Sequence, residues 1–124
     1  MRFAKILFWI AGIWGFLILT PLYFIFNLIG QNDPPPITHP GFYYGFVGLG
    51  LAWQIAFFII ATDPVRFRPI IPAAIIEKFS YAVAMIVLHL QGRIRPSDLT
   101  FAFVDLLLGV LFIVAFLKLP AEAE

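Results

Sequence analysis

Four long apolar segments dominate this sequence and limit what it can fold into. They run over residues 4–29, 41–62, 70–90 and 99–117. Each reaches the roughly 20 residues that an α-helix needs to cross about 30 Å of hydrocarbon, at about 1.5 Å per residue. A helix satisfies its own backbone hydrogen bonds in lipid, and the alternating pattern of barrel strands is absent from the sequence. The segments therefore predict an all-α, four-helix transmembrane bundle.

The composition agrees with a chain whose solvent is largely lipid. Hydrophobic residues make up 62% of the 124 residues and charged residues 12%, whereas a soluble domain carries about 25% charged residues. We therefore expect one integral membrane domain over residues 1–124. A net charge of +1 with scattered basic residues argues against nucleic acid as a partner. The chain has no cysteine, which excludes disulfides and thiolate sites.

The first segment begins like a secretory signal peptide, with Arg2 and Lys5 ahead of an apolar stretch. The stretch is too long for a signal peptide, is rich in aromatic residues and lacks an Ala-x-Ala cleavage site. We therefore predict a retained helix. Pro21 should kink this helix or change its course, because proline removes a backbone hydrogen bond.

The connections between the segments are short, which predicts that neighbours run antiparallel in an up-down-up-down bundle. Basic residues near the segment ends predict its orientation, since cytoplasmic loops carry the excess of Lys and Arg. With the N-terminus inside, the cytoplasmic side holds Arg2, Lys5, Arg66, Arg68 and Lys118. The outer side then holds Arg93 and Arg95. The larger number of basic residues on the first side predicts that both termini face the cytoplasm, although the two outer arginines oppose this orientation.

Small residues recur at helical spacing in every segment, and such residues let helices approach closely in lipid. The second segment has the longest set, in which Gly41 and Gly45 also fit the GxxxG form: Gly41, Gly45, Gly48, Ala52 and Ala56. The matching sets are Ala4, Ala11 and Gly15 in the first segment, Ala73, Glu77, Ser80 and Ala84 in the third, and Ala102, Asp105 and Gly109 in the fourth. These faces could form a dimer interface, but packing inside the bundle is the favoured interpretation.

Two carboxylates, Glu77 and Asp105, lie on these small-residue faces, which predicts that they point into the bundle. If the third and fourth helices reverse near Ile94, Asp105 is level with Val83 and roughly 9 Å from Glu77 along the bundle. At that separation the two acids would not share a proton. Lys78 points about 100° away from Glu77, and we expect its side chain to reach back to the cytoplasmic headgroups.

Each carboxylate has two interpretations, because an intramembrane charge costs at least ~2.5–3.5 kcal/mol and something must offset that cost. Glu77 is either an acid that binds a proton or a ligand, or a structural clasp between helices. Its candidate partners are Gln54, Ser80 and Tyr81, although Gln54 lies opposite Ala52 on its helix. Asp105 has the same two interpretations, with Tyr23, Tyr44, Asn27 or a partner protein as candidates.

Recognisable catalytic and metal motifs are lacking in the sequence. There is no phosphate-binding glycine loop, no Ser-His-Asp set and no HExxH. His39 and His89 are isolated, whereas a metal site needs three or four convergent ligands. We therefore assign no catalytic residue and no metal site, and the cofactor stays unknown.

The layout resembles that of small bacterial four-helix membrane proteins of the DoxX-like type and related uncharacterised families. The resemblance covers the whole chain and rests on four spans in 124 residues, glycines in the second span and an acid in a later one. The segments 61–69 and 77–81 are similar to a family signature. The resemblance implies a bacterial inner-membrane protein, with redox or accessory roles for some relatives, and it transfers no functional residue.

Three functions follow from these residues. The first is an accessory or scaffold protein that uses its small-residue faces to oligomerise or to join a larger membrane complex. The second is a binder or carrier of a small hydrophobic ligand or a proton, with Glu77 and Asp105 as polar anchors. The third is a membrane enzyme acting on a lipid, which the lack of catalytic motifs disfavours.

Overall fold

The computed structural model describes residues 2–120, and these form helices and turns with no strand. The helices are α1 (Arg2–Leu19), α2 (Phe26–Asn32), α3 (Pro40–Thr62), α4 (Ile71–Leu90) and α5 (Leu99–Lys118). All except the short α2 belong to segments long and apolar enough to cross a membrane. The predicted all-α four-helix bundle is confirmed, and the protein is an integral membrane protein.

The first apolar segment is interrupted, so α1 is shorter than the sequence predicts. After Leu19 the chain forms a 3₁₀ turn over Thr20–Tyr23, and α2 begins only at Phe26. Pro21 lies in the first positions of that turn, where its missing N–H breaks the α-helical hydrogen-bond ladder. The change of course predicted at Pro21 is present, and it turns α2 into a separate element.

The long helices associate as two close pairs, α1 with α3 and α4 with α5. In the first pair, the centroids of the Trp9 and Phe58 rings lie 5.2 Å apart, and the Tyr43 hydroxyl of α3 donates to the carbonyl of Leu22, in the turn after α1, at 2.5 Å. In the second pair, Arg68 near the start of α4 donates to the carbonyl of Phe116 near the end of α5 at 3.2 Å. In each pair, residues early in one helix therefore contact residues late in the other helix.

The hydrophobic core fills only one half of the bundle. Its centre is three fully buried phenylalanines, Phe8, Phe57 and Phe112. Phe8 stacks on Phe112 with 4.3 Å between ring centroids, and Phe57 meets Phe112 edge-on at 5.2 Å. Aliphatic residues such as Ile71 complete this half. The other half is less filled, because α3 and α4 make few contacts with each other.

The predicted inner face of α3 is wrong for most of its length. Gly41, Gly45 and Ala52 are exposed, and a Cβ built on either of these glycines would meet nothing within 4 Å. Gly48 is half-buried, with the Tyr23 hydroxyl 3.3 Å from its built Cβ. The face that α3 buries instead carries Val47, Gln54, Phe57, Ile60 and Ala61.

Glycines allow the close approach between α1 and α3, and two of them belong to α1. Gly12 faces the Phe58 ring and Gly15 faces the Gln54 amide, in each case without room for a Cβ. Large side chains of α3 therefore fit into notches of α1, and Leu19 of α1 in turn packs against Gly50 of α3, where a Cβ would also lack room. The predicted inner face of α1 is confirmed, since Ala4, Ala11 and Gly15 are buried.

The inner face of α4 is rotated by one residue from the predicted one, while that of α5 agrees. Ala73, Ser80 and Ala84 are exposed, and Ile71, Ala74, Lys78 and Ala82 are buried. On α5, Ala102 and Gly109 are buried as predicted, and the Phe79 ring lies 3.0 Å from a Cβ built on Gly109. This rotation brings Lys78 to the centre of the bundle and Glu77 to its edge.

Candidate ligand site

Lys78 occupies the position in the bundle that the sequence analysis assigned to the acids. Its side chain is only 3% exposed, and its Nζ lies 3.3 Å from Asp105 Oδ1 and 3.7 Å from Glu77 Oε2. Nζ donates a hydrogen bond to Asp105, and it also lies 5.1 Å from the centroid of the Phe57 ring. The prediction that Lys78 reaches the headgroups is wrong, because a carboxylate of the facing helix is within closer reach. We call Lys78, Glu77 and Asp105 the Lys78 cluster.

The predicted separation of Glu77 and Asp105 is also wrong, since one ammonium contacts both carboxylates. The chain reverses at Gly92, which has a φ of 71°, and not near Ile94. A left-handed φ costs glycine little and suits it to this turn. Because the chain reverses earlier, Asp105 lies nearer to the start of α4 than predicted. The long side chain of Lys78 spans the remaining distance between α4 and the Asp105 carboxylate. The two acids therefore share one cation, whereas the sequence predicts that they lie too far apart to share a proton.

Gln54 lies beside the Lys78 cluster, in a notch of α1. Its side chain is 2% exposed, and its Nε2 donates to the Gly50 carbonyl at 2.7 Å. A Cβ on Gly15 would overlap its amide, so the missing side chain of Gly15 makes room for it. The predicted hydrogen bond from Gln54 to Glu77 is absent from residues 2–120, and Gln54 Oε1 has no hydrogen-bond partner there.

The remaining predicted partners divide between site and surface. Tyr81 faces the same interior as the cluster, and its ring stacks on Phe46 at 6.4 Å. Ser80 is exposed, and its hydroxyl donates to the backbone carbonyl of Glu77 at 3.1 Å, so Ser80 does not reach the Glu77 carboxylate. Tyr23 and Tyr44, which were candidate partners of Asp105, stack on each other at 6.1 Å instead.

The Lys78 cluster forms part of the wall of a cavity of about 480 Å³, which extends between the two helix pairs. Four of the five predicted ligand-binding residues line it, namely Glu77, Asp105, Gln54 and Tyr81. The rest of the wall is mainly apolar and comes from α1, the 3₁₀ turn, α2, α3 and α5; it includes Trp14, Leu19, Leu22, Ile25, Ile29, Phe46 and Phe101. A mainly apolar pocket with a few convergent polar groups is the usual form of a small-molecule site.

The loops that follow α2 and α4 hold α2 against this cavity. Arg95 Nε lies 3.3 Å from Asp33 Oδ1, and an Arg95 terminal nitrogen donates to the Asn32 carbonyl at 3.0 Å. The same guanidinium lies 3.5 Å from Asp98 Oδ1. The turn before α5 is therefore tied to the C-terminal end of α2, whose residue Ile29 lines the cavity.

Lys78 is the site residue that the sequence analysis missed. A signal for it exists in the sequence, because Ala74, Lys78 and Ala82 follow each other at a spacing of four. These three residues form a small-residue face with a lysine at its centre. The set around Glu77 forms a similar face with a carboxylate at its centre. The two faces differ by about 100° of rotation, and only contacts with α5 distinguish them.

Comparison with known proteins identifies no relative of this chain. No protein-family model, curated protein or solved structure matches the chain. Within residues 2–120 no group of three or more His, Asp or Glu side chains is placed to hold a metal ion. The function must therefore be argued from the geometry of the cavity and the Lys78 cluster.

Proposed function

We propose that the protein binds a small amphipathic molecule within the membrane. The apolar body of the molecule would lie in the cavity between the helix pairs, and its polar end would contact the Lys78 cluster. The observation that carries this proposal is the position of the cluster in the cavity wall. Glu77 and Asp105 keep 20% and 16% of their side-chain surface exposed, so a ligand can reach both carboxylates.

The energetics of the cluster favour a binding role over a purely structural one. A buried ion pair contributes little net stability, because removing its charges from water costs about as much as their attraction returns. Ionisable residues inside membranes accordingly mark functional sites more often than structural ones. Here Gln54 Oε1 and Glu77 Oε2 also lack a hydrogen-bond partner within residues 2–120, so the polar groups of the site do not fully satisfy one another.

An enzyme acting on lipid has less support from the same geometry. None of the described residues lining the cavity is a serine, threonine or histidine, the side chains that pair with a carboxylate in nucleophilic catalysis. Lys78 Nζ already contacts two carboxylates, so it is not free to attack a bound lipid. The cavity is therefore better suited to binding than to chemistry.

Neutralising either acid should remove the bound molecule while the bundle stays folded. We expect wild-type protein in native mass spectrometry to carry a co-purifying small molecule, and Glu77→Gln and Asp105→Asn to lower its occupancy about tenfold, the effect of losing one charge-assisted hydrogen bond. Asp63→Asn is the matched control, since Asp63 is exposed in the loop after α3. Equal occupancy in all four proteins would contradict the proposal.

Self-association is the second candidate function, and the outward face of α3 favours it. Gly41, Gly45 and Ala52 are exposed within a membrane-spanning segment, and small residues on a lipid-facing helix suit contact with another helix. The protein would then be an accessory or scaffold subunit in a homo-oligomer or a larger membrane complex.

A bulky residue on this face should break such an assembly without affecting the cavity. We expect Gly45→Leu to shift the protein from oligomer to monomer in single-molecule photobleaching of lipid vesicles, because the leucine side chain holds the backbones apart. Glu77→Gln should leave the distribution unchanged. A monomeric wild type would exclude a homo-oligomer, whereas an unaffected Gly45→Leu oligomer would show that α3 is not its interface.

We also infer that both termini face the cytoplasm, and we propose the bacterial inner membrane as the location. Basic residues at the ends of α1, α4 and α5 support this orientation. The opposing charge of Arg95 is balanced by Asp33 and Asp98 within 3.5 Å, which weakens the conflict in the outer turn. The location follows from the resemblance to DoxX-like proteins and stays a proposal, as does that resemblance.

A further inference from the structure

The Lys78 cluster has more negative groups than positive ones. Two carboxylates, Glu77 and Asp105, face one ammonium, and within residues 2–120 no second Lys, Arg or His lies within 4.0 Å of either carboxylate. Uncompensated charge is costly in surroundings of low dielectric constant. With all three groups ionised, the site lacks one positive charge, and an occupant that supplies it would be favoured.

Two buried acceptor atoms beside the cluster have no hydrogen-bond partner among residues 2–120. The Gly50 carbonyl fixes the Gln54 amide, because only Nε2 can donate to it, and this leaves Oε1 without a partner. Glu77 Oε2 likewise has no hydrogen-bond partner within residues 2–120, because its ion-pair partner Lys78 Nζ is 3.7 Å away, which exceeds hydrogen-bond length. Both atoms are buried, and Gln54 Oε1 is packed against Gly15, whereas Glu77 and Asp105 keep 20% and 16% of their side-chain surface exposed. Ionised carboxylates only accept hydrogen bonds, so an occupant that contacts these two side chains must donate.

Aromatic rings in the cavity wall also suit a cation. Trp14, Phe46, Tyr81 and Phe101 line the cavity together with the carboxylates. The faces of aromatic rings attract cations, and tryptophan does so most strongly. An anionic head group would gain nothing from these rings and would be repelled by the two acids.

We propose that the occupant is a lipophilic ammonium, that is, an alkyl or aryl amine in its protonated form. This inference rests on the proposed function and names the class of ligand. The ammonium head supplies the missing positive charge and donates to the exposed carboxylates of Glu77 and Asp105. The hydrocarbon body lies against the apolar wall formed by α1, α2 and α5.

Three ligands that differ only in the head group test this inference. They are decylammonium, decanol and decanoate, each carrying a terminal bromine that quenches tryptophan fluorescence on contact. The protein is held in nanodiscs of neutral phosphatidylcholine at pH 7, where the amine is cationic because its pKa is about 10. Trp14 is the tryptophan that lines the cavity, but it is also 37% exposed, where ligand dissolved in the bilayer can reach it. Only quenching that saturates with ligand and is lost in Trp14→Phe therefore measures binding in the cavity.

We expect decylammonium to bind about tenfold more tightly than decanol, since a charge-assisted hydrogen bond contributes more than a neutral one. Decanoate should bind most weakly. Glu77→Gln and Asp105→Asn should remove the preference for the amine, and Asp63→Asn should keep it. Equal binding of decanol and decylammonium would overturn the inference and indicate that a proton supplies the missing charge.

The remaining outcomes separate this inference from the proposed function. If decanol or decanoate binds best and its quenching still depends on Trp14, the cavity is a ligand site and only the proposed ligand class is wrong. If none of the three ligands gives quenching that depends on Trp14, the proposed function fails together with the inference.

Discussion

Replacement of Lys78 by methionine is expected to lower the free energy of unfolding by about 3–5 kcal/mol, the usual cost of removing one partner from a buried ion pair. Methionine keeps most of the volume and apolar stem of lysine, but it leaves Glu77 and Asp105 facing each other without their shared cation. The measurement is reversible unfolding in mixed micelles of increasing dodecyl sulfate fraction. This effect is the largest we expect from any single side chain of the cluster.

Two controls make the Lys78 result specific. Lys118→Met removes an exposed lysine at the end of α5, and we expect it to change stability by no more than about 0.5 kcal/mol. The triple variant Lys78→Met, Glu77→Gln, Asp105→Asn should recover most of the lost stability, because neutral replacement of a whole buried cluster is often tolerated. Equal stability of Lys78→Met and Lys118→Met would show that the cluster is not an ion pair in the membrane.

The second large effect is expected at Gly15, where α1 receives the Gln54 side chain. A Cβ at this position would overlap the Gln54 amide, so Gly15→Ala must displace Gln54 or separate α1 from α3. We expect a loss of about 1–3 kcal/mol, the typical cost of overpacking. The same unfolding titration measures it, and ligand binding should weaken as well, because Gln54 lines the cavity.

Gly45→Ala is the matched control for Gly15→Ala, because the space around Gly45 is open. Alanine is the better helix former by about 1 kcal/mol, so this control should be neutral or stabilising. The double variant Gly15→Ala, Gln54→Ala should recover stability relative to Gly15→Ala alone, since it removes the atoms that clash. If Gly15→Ala is as stable as the wild type, the fit of Gln54 against α1 is not as the structure describes it.

The two predictions act on opposite sides of the same cavity. Lys78 and Asp105 join α4 to α5, while Gly15 and Gln54 join α1 to α3. The cavity lies where these two helix pairs diverge, beside the core formed around Phe57. A ligand that contacts both pairs would bridge them, so its binding should also stabilise the bundle.

Most members of the site can be recognised from the sequence, but their arrangement cannot. Glu77, Asp105, Gln54 and Tyr81 were all candidates, because ionisable and polar residues in an apolar segment are conspicuous and costly. Lys78 was not, since a lysine in a span can usually reach the headgroups along its flexible stem. Its actual position depends on the Asp105 carboxylate of α5, 27 residues further along the chain.

Hydropathy alone determined the number of spans and the helical fold, because the transfer of each segment into lipid is a sum over its own residues. The rotation of α3 and α4 about their axes was decided only by the tertiary structure. In lipid, both faces of a helix are apolar, so hydrophobicity does not indicate which face points inward. The inward faces depend on contacts between distant residues, such as the notch of Gly15 that receives Gln54 and the carboxylate of Asp105 that receives Lys78.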